Sequence, residues 1–193
     1  MIGHSQGNLE IRWAVKWWTS LQPKVDDAVL LASPNNGDVL ANLGCVLPCY
    51  AAGSQFSLAS NFITALNDGD KTPGPISYTN LYSTTDALVP VASAPLDTAT
   101  NISIQSVCPL RAVTHGGMLY DAVTYLLAVD ALTNSGTASP SRLPANKCSQ
   151  TILPYLTVLE AALTNAALLA TAVVRLGLAD VVTAEPALKP YAT

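Results

Sequence analysis

The feature that most constrains this chain is the pentapeptide Gly3-His4-Ser5-Gln6-Gly7, which has the pattern G-x-S-x-G. In this pattern the serine occupies a sharp turn between a strand and a helix. We expect both glycines to be needed because a Cβ would not fit where the strand and helix backbones crowd together. The first amide groups of the following helix point at the site, which suits a developing negative charge. The motif therefore predicts an α/β fold with a nucleophilic serine at residue 5.

The motif lies near the start of a chain of 193 residues. Several strands and helices normally precede such a turn, so we expect residues 1–193 to form one α/β domain that is incomplete at its N-terminus. This length is sufficient for a substantial core. Half of the residues are apolar and only 11% are charged, which is a low charge density. We expect either an apolar substrate surface or a surface that a missing front part would cover.

Composition also argues against several classes of partner. The net charge of -4 disfavours nucleic-acid binding, which requires a basic face. The apolar stretch 152–176 is interrupted by Glu160 and Asn165, so we predict a buried or groove-lining helix there and no transmembrane span. The cysteines lack the paired CxxC spacing with histidine partners that zinc sites show. The spacing therefore predicts no zinc site. We also expect no other metal, no cofactor and a monomer.

The four cysteines indicate a secreted, extracellular protein with disulfide bonds. We interpret them as the pairs Cys45–Cys49 and Cys108–Cys148. The sequence alone allows three pairings, and free buried thiols are the alternative. Asn101 begins an N-glycosylation sequon, which is a weak indication of secretion.

Hydrophobic periodicity predicts alternating helices and strands. The apolar or alternating patterns favour three strands at 25–31, 76–82 and 102–108, and helices at 8–21, 118–132 and 152–182, the last broken near Gly177. No predicted strand precedes Ser5, so its strained turn would lack support and the strand at 25–31 would be an exposed edge.

A serine nucleophile needs a base to accept its proton and an acid to orient that base. With this turn, the chain order is serine, acid, histidine. Of the two histidines, we expect His4 to point away from Ser5, which leaves His115 as the base. Asp86 follows the strand at 76–82 and is the best acid, although it could instead cap the next segment. The rivals for the acid are Asp97 and Asp121.

Further motifs accompany this order of residues. They are KVD at 24–26, TNLYSTTD at 79–86, SAPLD at 93–97, VCPL at 107–110, THGG at 114–117, LPAN at 143–146 and PYA at 190–192. Through them the chain, from Ser5 to its end, resembles the lipase B family of yeasts and filamentous fungi. The resemblance implies the carboxyl-terminal portion of an α/β-hydrolase fold, with parallel strands, flanking helices and the first strands missing.

The resemblance also implies roles for individual residues. Ser5 would be the nucleophile, His115 the base, Asp86 the acid and the backbone amide of Gln6 an oxyanion donor. The Cys108–Cys148 pair is similar to a disulfide of the family, whereas the Cys45–Cys49 pair has no such counterpart and would stiffen a cover over the pocket. The walls of an apolar substrate pocket would include Leu88, Val89, Leu159 and Leu163.

The expected function is a serine carboxylic-ester hydrolase, a triacylglycerol lipase or esterase that acts on ester or lipid substrates through an acyl-enzyme. The family's loop with the other oxyanion donors, one of them a threonine, has no counterpart here. We therefore expect weak or no activity and poor solubility for the isolated chain. The alternative is an inactive remnant that binds a lipid surface or a partner. A transferase or amidase on the same fold is a third interpretation.

Overall fold

The computed structural model describes residues 1–39, 41, 49–178 and 181–192. Within these residues the strands are, in chain order, β1 (Ile2–His4), β2 (Asp27–Leu31), β3 (Cys49–Tyr50), β4 (Ser77–Tyr82), β5 (Thr100–Ser103) and β6 (Val181–Val182). Four of them form a parallel sheet in the order β1-β2-β4-β5, and β3 pairs with β6 in an antiparallel ribbon.

Helices alternate with these strands. The α-helices described in full are α1 (Gln6–Trp17), α2 (Ala51–Phe56), α3 (Asn61–Asn67), α4 (Ile104–Val107), α5 (Ala122–Thr133) and α6 (Val158–Leu178). Short 3-10 helices occur at Thr19–Lys24, Gly116–Leu119, Pro140–Arg142 and Pro190–Ala192. Among the helices of the described ranges, none has the length and apolar character needed to cross a membrane.

The core lies on both faces of the parallel sheet. Alternate side chains of a strand point to opposite faces, and β2 shows this clearly. Val29 packs with Val123 of α5 on one face, whereas Leu30 packs with Val15 of α1 on the other. All four of these side chains are buried. A strand covered on both sides reads as a continuous apolar run, which is why Ala28 to Leu31 lacks alternation.

The segment before Ser5 forms a strand that the sequence pattern does not predict. β1 leads directly into the serine and pairs with β2, with Gly3 opposite Leu30. The prediction of only three strands is therefore wrong, and so is the prediction that the strand at 25–31 forms an exposed edge. A three-residue strand has too few residues for a periodic pattern, so its existence depends on pairing with β2.

Two other elements differ from the sequence prediction. The alternating segment 102–108 is a strand only to Ser103, whose side chain then caps α4 by accepting a hydrogen bond from the Ser106 amide. The predicted helix at 152–182 is shorter, because α6 begins at Val158 and ends at Leu178, next to the predicted break at Gly177.

The cysteine predictions have different outcomes. Cys108 and Cys148 form a disulfide, with their Cα atoms 5.7 Å apart, so this pairing is confirmed. The bond ties the end of α4 to the loop that precedes α6. The predicted Cys45–Cys49 pair falls outside the described residues, since Cys45 is not among them.

Candidate active site

Ser5 occupies the turn between β1 and α1 and has an unusual backbone conformation. Its φ is 54° and its ψ is -126°. A positive φ is strained for any residue with a side chain and persists only where its surroundings enforce it. Here the Ser5 amide donates a hydrogen bond to the carbonyl of Leu31, at 2.9 Å. The end of β2 therefore holds the turn, contrary to our expectation that its strain has no strand for support.

The two glycines of the motif differ in how closely they are packed. A Cβ built on Gly3 would lie 2.6 Å from the Oδ1 atom of Asn8 and 2.8 Å from the Cδ1 atom of Ile11. Gly3 is therefore required by the close approach of β1 and α1, as expected. A Cβ built on Gly7 would have no neighbour within 4 Å. The expectation that Gly7 is also needed for space is wrong.

Asp86 and His115 form a hydrogen-bonded pair. Asp86 lies in the turn after β4, and its Oδ2 atom is 2.8 Å from the Nδ1 atom of His115. The carboxylate is held in place by its second oxygen, which accepts hydrogen bonds from the amides of Leu88 (2.8 Å) and Val89 (3.0 Å). Both side chains of the pair are largely shielded from solvent. The carboxylate thus fixes both the position and the tautomer of the imidazole, with its Nδ1 protonated.

The electrostatics of Asp86 favour its charged form. Burial alone raises the pKa of this carboxyl, but the hydrogen bonds from His115, Val89 and Leu88 outweigh burial and lower the pKa below its usual value. Asp86 is therefore an anion throughout the neutral range. It is able to stabilise a positive charge on His115 when that ring accepts a proton.

His4 also contacts His115, although the sequence pattern assigns it no role. Its Nε2 atom lies 2.9 Å from the carbonyl oxygen of His115. The two imidazole rings are 4.6 Å apart at their centroids and tilted by 51°. The contact joins residues that are 111 positions apart, so periodicity could not reveal it. The only signal is that both histidines of the chain fall in candidate site motifs.

The contact between His4 and His115 also brings the serine turn beside the base. The Ser5 hydroxyl does not form a hydrogen bond with the His115 ring among the contacts of the described residues. Catalytic hydrogen bonds are often longer without substrate and tighten in the substrate complex. Gln6 is exposed at the first position of α1, where its amide has no partner within the helix.

The two rival acids have other partners. Asp97 lies on the surface, where its carboxylate pairs with Lys71. Asp121 is buried at the start of α5, where it accepts hydrogen bonds from the Val123 and Thr124 amides and forms an ion pair with Arg111. Neither contacts His115. Within the described part of the chain, Asp86 alone pairs with this histidine.

The predicted wall residues occupy different environments. Leu88 is exposed beside Asp86, whereas the Val89 side chain is 4% exposed and belongs to the interior. Leu159 and Leu163 are exposed on α6. This helix lies close to the loop of His115. Its Asn165 side chain packs against Gly116 so closely that the Oδ1 atom would be 2.5 Å from a Cβ built on that glycine.

A parallel sheet with helices on both faces, and a serine on a strained strand-to-helix turn, is the arrangement of a portion of the α/β-hydrolase fold. The predicted fold class is thereby confirmed. No protein-family model matches the sequence. The chain is 31% identical to lipase B from Pseudozyma antarctica over 198 aligned positions, which cover 97% of this chain and 58% of that protein.

A solved structure supports the same relationship. The crystal structure of Aspergillus fumigatus lipase B matches with a TM-score of 0.89 and 30% sequence identity, over 100% of this chain and 50% of that one. The chain therefore resembles the fungal lipase B family, as its motifs indicate. It spans only about half the length of these relatives.

Proposed function

We propose that this chain carries the catalytic serine, histidine and aspartate of a serine carboxylic-ester hydrolase, a lipase or esterase. The observation that carries the proposal is the 2.8 Å hydrogen bond between Asp86 and His115, located beside the strained turn of Ser5. The similarity to two lipase B proteins supports the reaction class. Because the chain spans about half the length of those relatives, their activity comes to this chain only as a proposal.

In the proposed reaction, the hydroxyl oxygen of Ser5 attacks the ester carbonyl carbon while Nε2 of His115 accepts the hydroxyl proton. Asp86 stabilises the resulting imidazolium through the Nδ1 hydrogen bond. The tetrahedral intermediate collapses, the C–O bond to the alcohol breaks, and His115 returns the proton to the departing alkoxide. Water, deprotonated by the same histidine, then releases the acid from the acyl-enzyme.

The negative charge of the tetrahedral intermediate needs hydrogen-bond donors. The Gln6 amide at the first position of α1 is the donor we propose, because it lacks an intrahelical partner and lies at the positive end of the helix dipole. Removal of one such donor typically lowers the catalytic rate about 10²–10³-fold. The family resemblance implies further donors outside this chain, so we expect low activity from residues 1–193 alone.

We propose apolar acyl or alcohol groups as the parts of the substrate that this chain contacts. Leu88, Leu159 and Leu163 provide exposed apolar surface, and α6 lies next to the loop of His115. Val89, in contrast, is buried, and we expect it to act through its amide on Asp86 and not as a wall. Apolar esters fit such a surface better than charged ones.

We infer an extracellular location from the Cys108–Cys148 disulfide, because such bonds persist in oxidising compartments. The sequon at Asn101 adds no support. Its side-chain nitrogen, the atom that would carry a glycan, donates hydrogen bonds to the carbonyls of Leu96 and Ala99.

The test of the proposed function is covalent labelling of Ser5 by a fluorophosphonate, which reacts with activated serines. Peptide mass spectrometry of the labelled protein should place the probe on Ser5 and nowhere else. Ser5→Ala should abolish labelling, whereas Ser20→Ala, at an exposed serine of the 3-10 helix Thr19–Lys24, should leave it unchanged. Labelling that survives Ser5→Ala, or no labelling of the longest natural product that contains residues 1–193 when it is folded, would contradict the proposal.

A second function, binding to a lipid surface without catalysis, is favoured by the exposed leucines of α6. Its test is flotation of the Ser5→Ala protein with phosphatidylcholine vesicles. Replacement of Leu159 and Leu163 by serine should abolish flotation if this function is correct, and no flotation of the parent protein would exclude it.

A further inference from the structure

His4 and His115 form a contact that the proposed reaction does not use. The carbonyl oxygen of His115 can only accept a hydrogen bond, so the Nε2 atom of His4, 2.9 Å away, must carry the proton. The ring of His4 also packs against the ring of His115, with centroids 4.6 Å apart. His4 thus contacts both the backbone and the side chain of the proposed base.

The contact joins the end of β1, which leads into Ser5, to the loop of His115, and the relative position of these two segments sets the geometry of proton transfer. His4 is the last residue of β1 and directly precedes Ser5, while His115 lies in the loop before the 3-10 helix Gly116–Leu119. The backbone of the histidine is therefore fixed to the strand that carries the nucleophile. Asp86 fixes only the Nδ1 side of the imidazole, and it does not link the base to the serine turn.

We propose that His4 is a positioning residue that holds His115 in register with Ser5 through the backbone carbonyl of His115. This inference rests on the proposed hydrolase function. His4 does not touch the reacting atoms in this assignment. Its effect is on the distance and orientation between nucleophile and base, and a misplacement of about 1 Å there costs up to about 10² in rate.

The environment of His4 suits this role, because it favours the neutral ring. Burial lowers the pKa of His4, and the nearby His115 lowers it further, whereas the His115 carbonyl and the charge of Asp86 act in the opposite direction. His115 and Asp86 are thus the charged or polar groups that act on the pKa of His4 besides its burial. A neutral His4 donates the same hydrogen bond without opposing the positive charge that His115 acquires in the reaction.

Two substitutions separate the hydrogen bond from the ring. His4→Gln keeps an amide donor near the position of Nε2, whereas His4→Phe keeps an aromatic ring and removes the donor. In the longest natural product that contains residues 1–193, we expect His4→Phe to lower kcat for p-nitrophenyl butyrate about tenfold, with KM nearly unchanged, since this is the effect of one lost hydrogen bond to a shielded carbonyl. We expect His4→Gln to restore kcat to within about threefold of the parent protein.

The kcat values of these two variants decide whether His4 positions His115 through its hydrogen bond. Equal kcat for His4→Phe and the parent protein, or equal losses in the Phe and Gln variants, would overturn the positioning role. Circular dichroism checks the fold of every variant, and His4→Met replaces the phenylalanine variant if that one does not fold. Ser5→Ala serves as the reference for the function itself, because hydrolysis that survives Ser5→Ala would refute the proposed function and not specifically the role of His4.

Discussion

Replacement of Asp86 by asparagine tests the acid–base pair with almost no change in shape. One carboxylate oxygen of Asp86 accepts the amides of Leu88 and Val89, and the other faces the Nδ1 atom of His115. The two backbone donors require an acceptor, so the asparagine oxygen must take their side. Its NH2 group then faces Nδ1, which must become the acceptor, and the proton of the neutral imidazole moves to Nε2.

A histidine protonated at Nε2 cannot accept the proton of Ser5. The expected loss is that of a triad with the wrong histidine tautomer, about 10⁴ in kcat, or about 5 kcal/mol in activation free energy. The hydrogen bonds to Leu88 and Val89 are kept, so the turn after β4 should remain folded. The loss should therefore appear in kcat without a comparable loss of thermal stability.

The assay is steady-state hydrolysis of p-nitrophenyl butyrate by the longest natural product that contains residues 1–193, because we expect weak or no hydrolysis by those residues alone. Thermal unfolding is measured on the same preparations. Asp97→Asn is the matched control, since that carboxylate is exposed and pairs with Lys71 on the surface. It should retain the parent kcat. The reasoning would be refuted if folded Asp86→Asn kept more than about a tenth of the parent kcat, because the wrong tautomer could not support such a rate.

Three further predictions concern stability. Gly3→Ala should lower the free energy of unfolding in urea by about 1–3 kcal/mol, because the added methyl group overpacks against α1. Gly7→Ala should leave this free energy unchanged or raise it. Equal effects of the two substitutions would contradict the packing account. Asp121→Ala should lower the free energy of unfolding by about 3–5 kcal/mol, because it removes the cap of α5 and the carboxylate that pairs with the buried Arg111. Asp97→Ala should have a minor effect on the same free energy. The folded-state pKa of His4 is lowered, so its contribution to stability is complete above the unfolded pKa of 6.5 and is lost as pH falls through the folded-state value. Stability measured from pH 7 downward should therefore fall less in His4→Gln than in the parent protein, and parallel curves would contradict this.

The sequence is most informative where a motif specifies local geometry. G-x-S-x-G predicts the strained turn, and the positive φ of Ser5 agrees with it. The apolar run Val25 to Leu31 and the segment ending at Tyr82 predict two adjacent parallel strands within a residue or two of their observed bounds. Loops at the carboxyl ends of such strands converge, which explains why the order of motifs alone places Asp86 near His115.

The remaining features depend on contacts between distant parts of the chain. β1 is a strand because it pairs with β2, and three residues cannot carry a recognisable period. The switch from strand to helix after Ser103 depends on a cap that competes with an alternating pattern. The difference between Gly3 and Gly7 depends on the Asn8 and Ile11 side chains packed against one of them.

The role of His4 illustrates the same limit at the site. In the sequence it is merely the variable residue beside the serine, and its partner lies in a loop 111 residues away. Only the folded chain shows that this side chain contacts the proposed base. The sequence favours Asp86 over Asp97 and Asp121 as the acid because of its place after a strand, whereas the pairing of those two with Lys71 and Arg111 is visible only in the structure.

The most direct test of the central claim is hydrolysis of p-nitrophenyl butyrate by this chain and by the longest natural product that contains it, each beside its Ser5→Ala variant. The account predicts clear hydrolysis by the longer product, weak or no hydrolysis by residues 1–193 alone, and none after Ser5→Ala. Hydrolysis that persists without Ser5, or a folded longer product with no hydrolysis, would contradict the claim that Ser5, His115 and Asp86 form the active site of an ester hydrolase.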